Sequence, residues 1–174
     1  SAAKFARVKS FTKDHNQIMD KVTRDMHSGK EEAKVLYLIS KTGFRLGGER
    51  DTGAEKQAFG ATTLLGSHVK VNGNKVTFNF VGKKGVVQNH TIEDGEIARM
   101  VSGKSSGKLF NTQSDKVRDY LKSINPKYVV KDFRTHVATG TALQAMRGIK
   151  KPTNAKEKEH AIKQVATIVS QKLG

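Results

Sequence analysis

Residues 68 to 92 alternate apolar and polar side chains, in a chain whose other apolar residues recur mostly at helical spacing. HVKV and KVTFNF place valine or phenylalanine at every second position. Asn72 and Gly73 between these runs are a strong hairpin signal, and GKKG at residues 82–85 links the second run to VVQNHTI. The stretch therefore predicts a three-stranded antiparallel meander.

Helical periods account for most of the remaining chain. Residues 51–66 are rich in Gly, Ala and Thr and predict a loop with at most one helical turn. Asp132 suits the N-cap of one helix, which would place Arg134 in the first turn of that helix. The fold class expected is α+β, mainly α, as a single domain over residues 1–174. Apolar spacing predicts helices over residues 10–28, 31–46, 114–123, 131–146 and 155–173, with a short one inside 95–109.

The chain is strongly basic, with 32 Lys and Arg against 16 Asp and Glu and a formal net charge of +16. Such a surface attracts polyanions, of which nucleic acid is the most abundant. A membrane surface is the rival partner, but no apolar run approaches the roughly 18 residues of a spanning helix. No amino-terminal stretch resembles a secretion signal either. We expect a cytoplasmic or nuclear protein that is neither secreted nor membrane-bound.

Cysteine is absent from the sequence, so disulfides, a thiol nucleophile and zinc sites built on Cys are excluded. The six His show no metal-ligand spacing such as HxxxH. We therefore predict neither a metal site nor a bound cofactor.

KDFRTH at residues 131–136 contains the arginine that most suggests an anion site. Near a helix amino terminus, exposed amides and the helix dipole favour an anion, and the Arg134 guanidinium adds a bidentate fork for phosphate oxygens. The alternative is that Arg134 only covers the end of the helix. Lys83 and Lys84 lie at the tip of the second predicted hairpin, where they are either anion ligands or ordinary solvated turn residues.

Three segments together resemble the catalytic domain of type IB DNA topoisomerases in order and spacing. They are GFRLGGERDTGAEKQAFGATTLLGSHVKV, VTFNFVGKKG and NPKYVVKDFRTHVATGTAL. The resemblance extends from about Phe5 to Gly174 and implies a helical catalytic domain whose partner is double-stranded DNA. Tyrosine recombinases have a similar fold and are the alternative, but they more often carry His two or three places before the arginine, where this chain has Lys131 and Asp132.

The resemblance also implies a reaction and a role for each basic residue. In such enzymes a tyrosine attacks one DNA phosphodiester and becomes joined to the 3′ phosphate, the free 5′ strand rotates, and its hydroxyl reverses the step. Arg45 and Arg134 match the groups that stabilise the phosphate in the transition state. Lys83 matches the acid that protonates the departing 5′ oxygen, and neither metal nor cofactor is implied. We also expect DNA backbone contacts from Lys84, Lys131 and His68. The alternative is that these side chains are simply solvated.

Two parts of the family pattern have no counterpart in the chain. A fourth phosphate-binding group, usually His, and then the nucleophilic tyrosine should follow a segment resembling VSQKLG, residues 169–174. Tyr37, Tyr120 and Tyr128 do not lie in that position and are interpreted as packing residues, and His136 is not assigned the fourth role. We expect a domain truncated before its tyrosine. The alternatives are a split enzyme whose tyrosine is on another polypeptide and a non-catalytic module that binds duplex DNA.

Overall fold

The computed structural model describes residues 1–48 and 57–174. Within these ranges the chain forms six α-helices and one three-stranded sheet, which confirms the predicted α+β, mainly α, fold class. The helices are α1 (Ala2–His27), α2 (Glu31–Thr42), α3 (Gly95–Val101), α4 (Ser114–Ile124), α5 (Val130–Arg147) and α6 (Ala155–Leu173). The strands are β1 (Val69–Asn72), β2 (Lys75–Val81) and β3 (Val87–Glu93).

The sheet is the predicted antiparallel meander, in the order β1-β2-β3. Phe78 of β2 lies opposite Val69 of β1 on one side and His90 of β3 on the other. Gly73, in the link between β1 and β2, has φ +62°, a backbone conformation that favours glycine. The buried face of β2 meets Phe44, whose ring contacts the Phe78 and Phe80 rings edge-on at 5.2 and 5.1 Å. The meander is thereby fixed to the helical part of the domain.

The central helix of the domain is α2, which contacts α1, α4 and α5. Most of its apolar side chains are fully buried, as expected for a helix that is covered on several sides. It ends at Thr42 because Gly43 adopts a left-handed cap at φ +72° and donates its N–H to the Ile39 carbonyl at 2.8 Å. The predicted extension to residue 46 was therefore wrong, and Arg45 lies beyond the helix.

Helix α5 begins at Val130, so the prediction that Asp132 is its N-cap was also wrong. Asp132 is instead the third helical residue, and its carboxylate accepts the Val129 N–H at 2.8 Å. The helix start is thus capped from inside its own first turn, as in the carboxylate half of a capping box. Arg134 consequently lies in the second turn, away from the free amides of the helix end.

Helix α1 begins at Ala2, well before the residue 10 predicted from apolar spacing. Its first two turns are largely exposed, and their apolar residues, including Phe5 at 72% exposure, lie outside the core. Arg7 ties this part of α1 to α5 through two hydrogen bonds of 2.8 Å to the Asp132 carboxylate. The geometry is the bidentate fork that makes arginine–carboxylate pairs specific.

Helix α6 packs on α5, and its last residue, Leu173, lies beside Gly43 at the end of α2. None of its residues is fully buried, and Ile162 is 60% exposed. Among the helices of the described ranges, none combines the length and the apolar content that crossing a bilayer requires.

Two histidine rings stack at the junction of α1 and α5. The centroids of His15 and His136 are 4.2 Å apart, and Phe11 lies edge-on to His136 at 5.5 Å. Partial burial lowers the pKa of both rings, and their mutual repulsion lowers the pKa of His15 further. The nearby Lys41 ammonium acts on His15 in the same direction. The junction therefore favours two neutral rings.

Acidification is expected to weaken this junction. Because folding lowers both pKa values, the neutral rings stabilise the fold above the unfolded pKa of about 6.5, and this contribution is lost as the pH falls below that value. We expect the urea midpoint to drop less between neutral and mildly acidic pH in the double variant His15→Phe/His136→Phe than in the wild type. His160→Phe, at an exposed position in α6, is the control. Equal pH dependence in the wild type and the double variant would contradict this assignment.

Candidate active site

A cleft of about 860 Å³ opens between the segment after α2, the β2–β3 hairpin tip, α4 and the start of α5. Arg45, Lys83 and Arg134 all line it, although they come from distant parts of the sequence. Lys131 lines the same cleft. The structure thus brings together the three residues predicted as catalytic and one of the three predicted as DNA-binding.

The backbone at Arg45 is held by the segment that contains Ala61 and Thr62. The Ala61 N–H donates to the Arg45 carbonyl at 2.8 Å, and the Thr62 N–H donates to the Leu46 carbonyl at 2.9 Å. Gly47 and Gly60 approach so closely that a Cβ on Gly60 would collide with the Gly47 backbone. The main chain at Arg45 is therefore well fixed, while its side chain is exposed to the cleft.

Lys83 is presented by a short 3₁₀ turn, Lys83–Gly85, at the tip of the hairpin. The Gly82 N–H donates to the Val86 carbonyl at 2.8 Å and closes the turn. Lys84 has φ +60°, the left-handed conformation that side chains other than glycine rarely adopt. Lys84 is exposed beside the cleft, whereas Lys83 is part of the cleft wall.

Arg134 is anchored by carbonyl oxygens at the ends of two helices. Its Nε donates to Gly43 at 2.7 Å, and its Nη2 makes a longer contact of 3.5 Å with Leu173. Both carbonyls belong to helix carboxyl ends, where the dipole favours a cation. Burial and, to a smaller extent, the charge of Arg45 lower the Arg134 pKa to about 10. An anion bound between the two guanidinium groups would offset both the burial of the Arg134 charge and its repulsion by Arg45.

His68 lies one layer behind the cleft wall. Its Nδ1 accepts the Leu65 N–H at 3.0 Å, and its ring lies 4.4 Å from that of Phe59, a lining residue. Burial lowers the pKa of the ring. His68 therefore holds a tight turn and supports Phe59, while its predicted contact with DNA stays a prediction.

All three tyrosines of the chain are buried, which agrees with their interpretation as packing residues, and Tyr128 also lines the cleft. Each hydroxyl donates a hydrogen bond to an aspartate. Burial and the neighbouring carboxylate raise the pKa of Tyr37 and Tyr120. The pairs are Tyr37 with Asp94 at 3.1 Å, Tyr120 with Asp25 at 2.6 Å, and Tyr128 with Asp14.

Sequence reasoning missed the polar face of α4. Arg118, Asp119 and Lys122 of this helix also line the cleft. The spacing of four between Arg118 and Lys122 was the available signal, because it places both cations on one side of a helix. Only the fold shows that this side adjoins Arg45, Lys83 and Arg134.

The cleft is basic overall, since six of its described lining residues are Lys or Arg and one is Asp. Such a concave, positively charged surface concentrates anions. Residues 1–48 and 57–174 contain no group of three or more His, Asp or Glu placed to hold a metal ion. Whether the chemistry is independent of metal stays a prediction.

Comparison with known proteins identifies the family. A family model described as "Eukaryotic DNA topoisomerase I, catalytic core" matches residues 1–174. The chain belongs to this family. The resemblance to type IB DNA topoisomerases is thereby confirmed.

The curated relatives include plant and viral topoisomerases. DNA topoisomerase 1 alpha of Arabidopsis thaliana is 32% identical over 120 residues, which cover 64% of this chain and 13% of that protein. DNA topoisomerase 1 beta of the same plant is 31% identical over 140 residues, which cover 76% of this chain and 14% of that protein. DNA topoisomerase 1B of Acanthamoeba polyphaga mimivirus is 22% identical over 186 residues, which cover 94% of this chain and 55% of that protein. The matched regions thus span between 13% and 55% of these relatives.

Replacing Gly43 should disturb Arg134 as well as the helix end. Alanine at φ +72° is strained, and its Cβ would lie 2.5 Å from Leu173 Cδ2 and 3.3 Å from Val137 Cγ1. We expect Gly43→Ala to lower the free energy of unfolding by about 2 to 4 kcal/mol. We also expect weaker binding of duplex DNA, because the carbonyls of Gly43 and Leu173 orient the guanidinium.

The matched control for this variant is Gly103→Ala. Gly103 has φ +76°, but a Cβ there meets nothing within 4 Å. The control therefore carries the backbone strain without the collision. Urea unfolding and DNA affinity would be measured for both variants, and equal losses in the two would contradict the positioning role of Gly43.

Proposed function

We propose that this domain is the catalytic core of a DNA topoisomerase that relaxes supercoiled duplex DNA through a transient 3′-phosphotyrosyl nick. The nucleophilic tyrosine comes from a polypeptide segment outside these 174 residues. The observation that carries the proposal is the convergence of Arg45, Lys83 and Arg134 on one cleft, in a member of this family. The domain acts wherever its DNA lies, in the cytoplasm or the nucleus.

Arg45 and Arg134 hold the scissile phosphate in the proposed reaction. Each guanidinium donates to non-bridging oxygens, on which negative charge grows in the transition state. With a pKa of about 10, Arg134 is still protonated at neutral pH. Because carbonyls already orient its Nε and Nη2, little reorganisation is needed when the phosphate binds.

Lys83 is the proposed general acid. The tyrosine hydroxyl loses its proton to water as its oxygen bonds to phosphorus, and the bond from phosphorus to the 5′ oxygen breaks. The Lys83 ammonium gives its proton to that 5′ oxygen and recovers it when the strand is resealed. Its place at the tip of a closed turn supports this role, since the ammonium can reach the cleft from a fixed backbone.

The tyrosines within the chain are poor candidates for the nucleophile. Each is buried and donates to an aspartate. Tyr128 also lines the cleft, but freeing any of the three hydroxyls for attack would break a partly buried hydrogen bond. The end of α6 offers a better approach, because Gly174 lines a narrow pocket together with Arg45 and Lys83. A tyrosine arriving beside this end, on the same polypeptide or on a second one, would meet the cations directly.

Lys131, Lys84 and His68 are proposed to contact the DNA backbone around the scissile phosphate. Lys131 has the strongest support because it is exposed and lines the cleft. Such contacts fix the position of the duplex. They make the DNA affinity depend on salt concentration but give no sequence preference.

The first test is covalent trapping on a nicked duplex whose short cleaved strand is lost, in EDTA. We expect salt-sensitive binding but no gain in protein mass by intact mass spectrometry. A DNA adduct would identify Tyr37, Tyr120 or Tyr128 as the nucleophile and overturn the proposed external source. Binding that is insensitive to salt would count against phosphate recognition.

The second test supplies a nucleophile. A tyrosine-bearing segment, fused after Gly174 or added as a separate polypeptide, should restore plasmid relaxation, and the same segment with Phe for Tyr should not. In the restored enzyme, Lys83→Ala should slow cleavage by about 10²- to 10⁴-fold. DNA affinity should change far less. A non-catalytic DNA-binding module predicts instead that no such segment restores activity.

A further inference from the structure

Helix α4 contributes two cations to the cleft that the proposed chemistry does not use. Val117 and Leu121 bury one side of this helix in the core, while Arg118 and Lys122 are exposed and line the cleft. The two cations are one helical turn apart. They therefore form a single basic edge, which we call the α4 edge.

The α4 edge is rigidly supported. Val117 and Leu121 are at most 1% exposed, and the Tyr120 hydroxyl donates to Asp25 of α1 at 2.6 Å. Core packing and this hydrogen bond fix both the rotation and the position of the helix. Cations on such a scaffold lose less freedom on binding a ligand than cations on a loop.

The spacing along the α4 edge suits a nucleic-acid backbone. Four residues of α-helix rise about 6 Å, so the two cations are close enough together to contact neighbouring phosphates of one DNA strand. The cleft is also large for one phosphate group, since about 860 Å³ is in the range of sites that hold a drug-sized ligand. The phosphate held by Arg45 and Arg134 would therefore leave room for its neighbours.

We propose that Arg118 and Lys122 bind backbone phosphates that flank the scissile phosphate, so that α4 positions the duplex for the reaction at Arg45, Lys83 and Arg134. The inference rests on the proposed function, which supplies duplex DNA as the ligand. Arg118 and Lys122 are positioning residues, because they act on phosphates other than the reacting one. Their contacts carry no sequence information of their own.

Asp119 is expected to limit the affinity of the α4 edge for phosphate. Its carboxylate lines the same cleft and also a neighbouring groove with Lys21 and Lys116. A negative charge beside a bound backbone repels phosphate. In a reaction that must release its DNA, Asp119 thus opposes binding that is too tight.

The experiment is duplex binding measured by fluorescence anisotropy over about 50 to 200 mM salt. Arg118→Ala and Lys122→Ala should each weaken binding and make the slope of log affinity against log salt shallower by about 0.9. Lys116→Ala is the matched control, because Lys116 is on the same helix but lines the other groove. Asp119→Asn should bind more tightly than the wild type.

Two further variants separate this inference from the proposed function. Arg118→Lys should recover most of the lost slope, since it restores the charge, and thermal unfolding would show that each variant is folded. If both alanine variants behave like Lys116→Ala while the wild type binds in a salt-sensitive way and Arg45→Ala binds weakly, the role of α4 is overturned and the proposed function stands. Failure of the wild type to bind duplex DNA would overturn both.

Discussion

The hydrogen bond from Arg134 Nε to the Gly43 carbonyl, 2.7 Å long, connects the central helix to the proposed reaction. Gly43 takes a left-handed conformation, which ends α2, and its carbonyl accepts this bond from α5. The same turn directs Phe44 into the sheet and Arg45 into the cleft. One backbone conformation therefore fixes the position of both arginines, and the sheet that carries Lys83 is aligned by the intervening phenylalanine.

This arrangement concentrates positive charge at a cost in stability. Arg134 is half-buried near Arg45, in a domain whose formal net charge is +16. Burial and repulsion lower its pKa, so they oppose the charged form in the free domain. Carbonyl oxygens from two helix ends offset part of that cost, and a phosphate would offset the rest. Functional sites commonly keep such unfavourable charge because it favours the ligand over water.

The sequence predicts the sheet well because hairpin pairing is local: the Gly73 link and the alternation of β2 together fix its register. The end of α2 was misplaced because Phe44 and Leu46 continue the apolar pattern, although tertiary contacts outside the helix bury them. The grouping of Arg45, Lys83 and Arg134 came from resemblance to a family, not from periodicity. The His15–His136 stack and the α4 edge join elements remote in sequence, so no local pattern contains them.

The surroundings of the three tyrosines support the proposed separation of the nucleophile from the cations. A nucleophilic tyrosine needs surroundings that favour the phenolate, whereas Tyr37 and Tyr120 lie beside carboxylates that raise their pKa. Tyr128, although it lines the cleft, donates its hydroxyl to Asp14 of α1. An aspartate therefore accepts a hydrogen bond from each of the three tyrosine hydroxyls. These hydrogen bonds keep the tyrosine hydroxyls engaged with their aspartates, which agrees with the proposed external source of the nucleophile.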